Sequence, residues 1–195
     1  MTTLTLFADH DPQHVIERST DPVRIAELLA DVGVVFEQWG VRDLPAGATS
    51  DQVMAAFAPE VERIRAMGYD TVDVARLAGD PDDAAFLEQA AGARAKFLAE
   101  HRHADDEVRF FVEGSGAFYL RLERPDSTTA VHVVLCQAGD FLSVPRGTRH
   151  WFDMGTRPRF TAIRFFQDPE GWVGDFTGDP IASGFPAFDE LVAAA

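Results

Sequence analysis

The feature that most constrains this chain is the run His101-Arg102-His103-Ala104-Asp105-Asp106-Glu107, answered further along by His150. Side chains in an extended strand alternate faces with a period of two. His101, His103 and Glu107 share odd parity, so one strand with a short bend over 104–106 aims all three at one point. Three imidazoles and one carboxylate suit Fe(II), Ni(II), Mn(II) or Zn(II) and do not suit Ca(II) or Cu(I). The fold must therefore lay a late strand against an earlier one. Two spacings mark where it does so: H-x-H-x3-E is followed by Gly114, and Gly139-x5-Pro145-x-Gly147-x2-His150 leads to the late histidine. Glycine and proline at such offsets imply defined turns that set His150 opposite the first motif. A histidine standing alone is more often an ordinary surface or core residue. His10, His14 and His132 are read that way, with His132 on a strand face turned away from the cluster.

A length of 195 residues fits one domain, 1–195, able to bury a full core. A hydrophobic content of 46% with 16 Phe supports a packed globule over a disordered chain. The formal charge of −15 repels phosphate backbones and anionic membranes, which argues against nucleic acid or a membrane as partner. It also means that an anionic substrate needs a local positive group. The lone Cys136 excludes an internal disulfide and reads as a buried strand residue. The stretch from Met1 to His10 has neither a basic leader nor a long apolar run, so no signal peptide or membrane span is expected and the expected compartment is the cytoplasm. No long amphipathic seam demands a second subunit, so a monomer is expected.

Pattern divides the chain into an α/β elaboration over 1–100, a barrel core over 101–167 and a tail over 168–195. In the first part, Asp21-Pro22 opens a helix that Gly33 ends, and Val34–Phe36 is a strand. Ser50 or Asp51 opens a helical segment that Pro59 restarts, Thr71–Leu77 is a short strand, and Asp80–Asp83 starts a helix leading to His101. In the second part, Val108–Val112 and Ala117–Leu122 read as a hairpin turning on Gly114-Ser115-Gly116. Thr129–Cys136, Phe141–Val144, His150–Asp153 and Phe160–Phe166 are further strands, and a short helix near Phe188–Val192 closes the tail. Short strands at tight spacing predict a mainly β fold, an antiparallel barrel or sandwich with added helices.

Both histidine motifs, over about 97–154, resemble the cupin superfamily, which implies a jelly-roll β-barrel around the metal. Two positions depart from the usual pattern: Ala95 stands where a glycine is usual and Met154 where an asparagine is frequent. Within cupins, Glu100 to Gly114 resembles the acireductone dioxygenases of methionine salvage. Gly171-Trp172-Val173, Phe176-Thr177-Gly178, Thr5-Leu6-Phe7 and Phe36-Glu37-Gln38-Trp39 extend the resemblance over most of the chain. It implies one Fe(II) or Ni(II) per chain, held by His101, His103, Glu107 and His150. It also implies a reaction between O2 and an enediol, 1,2-dihydroxy-3-keto-5-methylthiopentene. With Fe(II) the implied products are formate and 4-methylthio-2-oxobutanoate; with Ni(II) they are formate, carbon monoxide and methylthiopropionate.

Arg109 shares the parity of Glu107 and should point into the barrel. It is either one half of a buried ion pair or the anchor for an anionic substrate oxygen, the role the resemblance gives it. Phe97, Phe111, Phe152 and Trp172 are candidates for the pocket wall. The resemblance places Phe97, Phe152 and Trp172 beside the thioether tail, and Phe111 is read as plain core. Glu100 and Asp106 are candidates to orient imidazole N–H groups from behind or to assist metal loading. Asp105 is read as part of a solvated loop, with Arg102 and Arg149 facing out. Two other readings stay open: another metal-dependent cupin enzyme, either an isomerase or a different dioxygenase, and a cupin that binds without turnover.

Overall fold

The structure is a computed structural model, and it describes residues 1–194. In chain order its elements are β1 (Thr3–Ala8), β2 (Asp11–Ser19), α1 (Pro22–Ala30), β3 (Val35–Gln38), α2 (Ser50–Ala56), α3 (Ala58–Arg65), β4 (Thr71–Leu77), α4 (Ala84–Ala95), β5 (His101–Arg102), β6 (Glu107–Glu123), β7 (Thr129–Gln137), β8 (Asp140–Val144), β9 (Arg149–Asp153), β10 (Phe160–Phe166), β11 (Asp175–Phe176), a 3-10 turn (Pro180–Gly184) and α5 (Phe188–Ala193). Every strand pairing is antiparallel.

One sheet runs β11-β5-β9-β6-β7-β1-β2, and a second runs β4-β10-β6-β8-β3. They meet in β6. Its first half pairs with β8 and β10, and its second half with β7 and β9. This is a correction: no hairpin turns on Gly114-Ser115-Gly116, because the two expected strands are one bent strand. The glycines have other work. Gly114 has φ +74°, and a Cβ there would lie 1.7 Å from the Arg159 carbonyl oxygen, so only glycine fits. A Cβ on Gly116 would meet the Phe152 ring at 2.4 Å, so its bareness makes room for an aromatic side chain.

The register between β10 and β6 slips by one: Ala162 pairs with Phe111, while Thr161 pairs with Glu113. Val112 is therefore the extra residue of a bulge, which inverts the facing of everything after it. Before it, Glu107, Arg109 and Phe111 face the cavity between the sheets; after it, Phe118 does.

Helix starts follow the expected chemistry. Asp21 accepts from the Val23 N–H and Pro22 takes the first helical position. Thr49 and Gln52 form a reciprocal capping box before α2, and Asp83 accepts from the Ala85 N–H at the head of α4. Ile25, Leu28 and Leu29 of α1 pack into the barrel interior with Leu6, Phe111, Phe118 and Leu142, each stabilising the fold by about 2 kcal/mol through area removed from water. α2 and α3 cover the other sheet, where Trp39 stacks between Phe110 and Phe141 at 4.4 and 4.6 Å.

β1 and β2 were not predicted, for opposite reasons. All six residues of β1 are buried, so it shows no alternation, and β2 is an edge strand that is mostly exposed. The expected strand from His101 to Glu107 is also corrected. It holds only for His101–Arg102; residues 103–106 leave the ladder before β6 begins. Cys136 is buried on β7, as expected. Among the described residues no helix is long and apolar enough to cross a membrane.

Candidate metal centre and substrate cavity

The ladder brings the site together. His101 on β5 pairs directly with His150 on β9, which is also opposite Leu120 of β6. The turn before β9 is tied to the first motif, since the Gly147 N–H donates to the His103 carbonyl at 2.9 Å. One ligand atom from each of His101, His103 and His150 lies within 4.8 Å of the others, and all three rings are buried. Glu107 Oε2 approaches His150 Nε2 to 2.7 Å and His103 Nε2 to 3.6 Å.

Every imidazole has its Nδ1 committed. His101 bonds the Ala99 carbonyl at 2.8 Å, His150 the Thr148 carbonyl at 2.8 Å, and His103 the Val173 carbonyl at 3.0 Å. A carbonyl can only accept, so Nδ1 carries the proton and a neutral ring presents a lone pair at Nε2. The Nε2 of His150 then faces a carboxylate lone pair at 2.7 Å. Both atoms are buried, and neither has a hydrogen-bond partner. Two lone pairs converge this way only around a cation, either a proton or a metal ion. The donor set thus fits a borderline divalent metal.

The electrostatics agree. Burial pushes Glu107 up, but Arg109, His150 and His103 outweigh it and hold the carboxylate well below its usual range. Burial lowers His150, yet the Glu107 carboxylate reverses that and its net shift is upward. Burial, helped by the His150 charge, brings His101 down to about 4, so its ring is neutral and available as a ligand at pH 7.

Beside the cluster lies a narrow cavity of about 70 Å³ lined by His101, Glu107, Arg109, Phe97, Phe111, Phe118, Phe152, Met154, Phe160, Ala75, Ala162 and Arg164. Arg109 Nη2 lies 2.7 Å from Glu107 Oε1, and its guanidinium stands over the Phe166 ring at 5.2 Å. Arg109 thus forms the buried ion pair and also lines the cavity. Arg164 faces it across the ladder, over the same ring at 5.4 Å and bonded to Asp73 at 2.7 Å.

Phe97 and Phe152 line the cavity, as does Phe111, which was read as core only. Trp172 does not. It is half exposed after β10, and the group that stretch sends inward is the Val173 carbonyl. Neither Glu100 nor Asp106 orients an imidazole. Glu100 is buried and accepts from Thr177 Oγ1 at 2.7 Å, with Arg121 at 3.4 Å. Asp106 accepts from the Tyr69 hydroxyl at 2.6 Å and the Arg146 N–H at 2.8 Å, fixing the turn that leads to His150. Backbone carbonyls leave no ring N–H for a carboxylate to take.

Asp105, expected in a solvated loop, is buried instead. It is 6% exposed, and its carboxylate collects three backbone N–H groups. The wall residues Phe118, Phe160 and Met154 were also missed. Phe118 has the wrong parity until the bulge is known, and Met154 carries no signal beyond its departure from the cupin pattern.

An antiparallel jelly-roll barrel enclosing three buried histidines and a carboxylate beside an aromatic cavity defines a cupin-type metal enzyme. The ARD/ARD' family model matches residues 9–174. Acireductone dioxygenase 1 of Nocardia farcinica is 50% identical over 193 residues, covering 98% of this chain and all of that protein. The acireductone dioxygenase of Pseudomonas aeruginosa is 49% identical over 192 residues, covering 97% of this chain and all of that protein. A solved structure, an acireductone dioxygenase from Bacillus anthracis with a cadmium ion in its active centre, superposes with a TM-score of 0.73 at 30% identity over 90% of this chain and 98% of that one. The chain belongs to the acireductone dioxygenase family, and it is a metal-dependent dioxygenase.

Proposed function

We propose that the chain, working as a single unit, cleaves 1,2-dihydroxy-3-keto-5-methylthiopentene with O2, using one Fe(II) or Ni(II) held by His101, His103, Glu107 and His150. The observation that carries this reading is the pair of facing lone pairs on His150 Nε2 and Glu107 Oε2, 2.7 Å apart at the end of an aromatic cavity. Held by these four residues, the metal would supply Lewis acidity toward the enediolate oxygens.

The rest is done by the protein. Arg109 is the positive group that an acidic molecule must provide for an anionic substrate. Its guanidinium favours the deprotonated, electron-rich form of the enediol, the form able to give electrons to O2. Phe97, Phe111, Phe118, Phe152 and Phe160 supply an apolar wall suited to a thioether tail and exclude water, which strengthens the Arg109 charge interaction. The largely apolar lining disfavours a sugar phosphate, which demands more basic groups around it. The Fe(II) form is assigned 4-methylthio-2-oxobutanoate and formate as products, and the Ni(II) form methylthiopropionate, formate and CO.

The ligand set is tested by metal content after reloading. His103→Ala and Glu107→Ala are expected to lose stoichiometric metal together with oxygen uptake. Full metal with full uptake in either variant would sink the assignment.

A further inference from the structure

The three histidines are not held alike. His101 and His150 each bond a carbonyl two residues back, so their own strands fix their rings. His103 depends on a carbonyl 70 residues away, that of Val173. Val173 lies on the stretch 167–174, between the end of β10 at Phe166 and the start of β11 at Asp175, where no strand pairing holds it.

That stretch is fastened at Asp105. Asp105 Oδ2 accepts from the Gln167 N–H at 2.7 Å and the Asp168 N–H at 3.0 Å, and Oδ1 accepts from the Asp106 N–H at 2.9 Å. The Asp168 carbonyl then accepts from the Gly171 N–H, and the Glu170 carbonyl from the Val173 N–H, so the fixed end is linked by turns to the carbonyl that His103 uses. Gly171 packs against the same carboxylate, where a Cβ would lie 2.5 Å from Asp105 Oδ2. A buried acid with three main-chain donors is a structural pin, and this one sits two residues from the ring it serves indirectly.

We propose that Asp105 is a positioning residue for the metal centre. It latches 167–174 onto the ligand loop, and through the Val173 carbonyl it keeps His103 protonated at Nδ1 with Nε2 free to coordinate. The inference rests on His103 being a ligand. A group that sets ring orientation from behind commonly changes metal retention by 10- to 100-fold when removed.

Two variants attack the latch from opposite sides. Asp105→Asn points an amide NH2 or a weaker acceptor at N–H donors. Gly171→Ala keeps every charge and pushes the carboxylate away from the stretch. In the full chain loaded with diamagnetic Zn(II) and 15N-labelled at histidine, both variants are expected to lose the slowly exchanging Nδ1 proton of His103 and to keep those of His101 and His150. The Ni(II)-loaded chain is expected to release its metal to a chelator about tenfold faster or more in both variants. Unchanged ring protons with unchanged release would overturn the proposal, and so would loss of all three ring protons together, which is general loosening. His103→Ala separates the two readings. If it retains metal, the ligand assignment itself is wrong. If it sheds metal while the latch variants behave as wild type, only the role of Asp105 falls.

Discussion

Arg109 is a cation surrounded by protein. Burial disfavours its charge, and the Glu107 carboxylate offsets part of that cost. A metal held by Glu107, as proposed, would draw on the same carboxylate and leave the guanidinium freer to face the cavity. Arg109→Met is therefore expected to retain metal while losing turnover by about 100-fold or more, the scale seen when one charge-stabilising donor is removed. Metal content and oxygen uptake on one sample check it. His132 is a different kind of histidine. It is 1% exposed on β7, opposite Leu6 and Leu120. His150 also lies opposite Leu120, so His132 shares the inward face of the sheet two strands from His150, which corrects the expectation that it faces away. Burial lowers it to about 4 from an ordinary 6.5. The unfolded chain therefore takes up a proton below about pH 6.5 that the folded chain refuses until about pH 4, so stability falls as pH drops through that window. The full effect is about 3 kcal/mol. Urea unfolding of His132→Leu at pH 7 and pH 4 is expected to show a smaller acid loss than wild type by roughly that amount. An equal loss in both would contradict it.

Among the elements, β6 decides where the chemistry goes. It starts at Glu107 between β8 and β10, carries Arg109 and Phe111, bulges at Val112, passes Gly114 and ends between β7 and β9 in the other sheet. Gly114→Ala combines a left-handed backbone with a Cβ 1.7 Å from a carbonyl oxygen, so the strand must shift. The expected cost is about 3 kcal/mol or more by thermal unfolding. Gly147→Ala also has a positive φ, +77°, but no atom within 4 Å of the added Cβ, and is expected to cost only about 1 kcal/mol. Equal costs would mean that close approach plays no part at Gly114. The same strand marks the limit of sequence reading. Glu107 and Arg109 were placed correctly by a period of two. The parity rule fails beyond Val112, because a bulge is a property of two paired strands and leaves no trace in one of them.

At the scale of the whole molecule, what was legible was the helix starts at Asp21 and Asp83 and the spacing that brings His101, His103, Glu107 and His150 near one another, while the capping box of Thr49 and Gln52 ahead of Ser50 was not read. What was illegible spans the chain. Asp105 read as a solvated acid because the main-chain donors that bury it come from Gln167 and Asp168, over 60 residues on. Asp106 and Glu100 likewise serve the turn before His150 and the tail at Thr177. Trp172 was expected in the cavity wall because its side chain was considered, whereas its neighbour's backbone turned out to hold the inward contact. The central claim is that these remote pieces build one oxygen-using metal site. It is tested by stripping the full chain of metal, reloading it with Fe(II) and following oxygen consumption as fresh 1,2-dihydroxy-3-keto-5-methylthiopentene is added. Uptake well above the spontaneous rate, abolished in His103→Ala, is the expected result. Uptake no faster than the spontaneous reaction, with metal bound in full, would contradict the account.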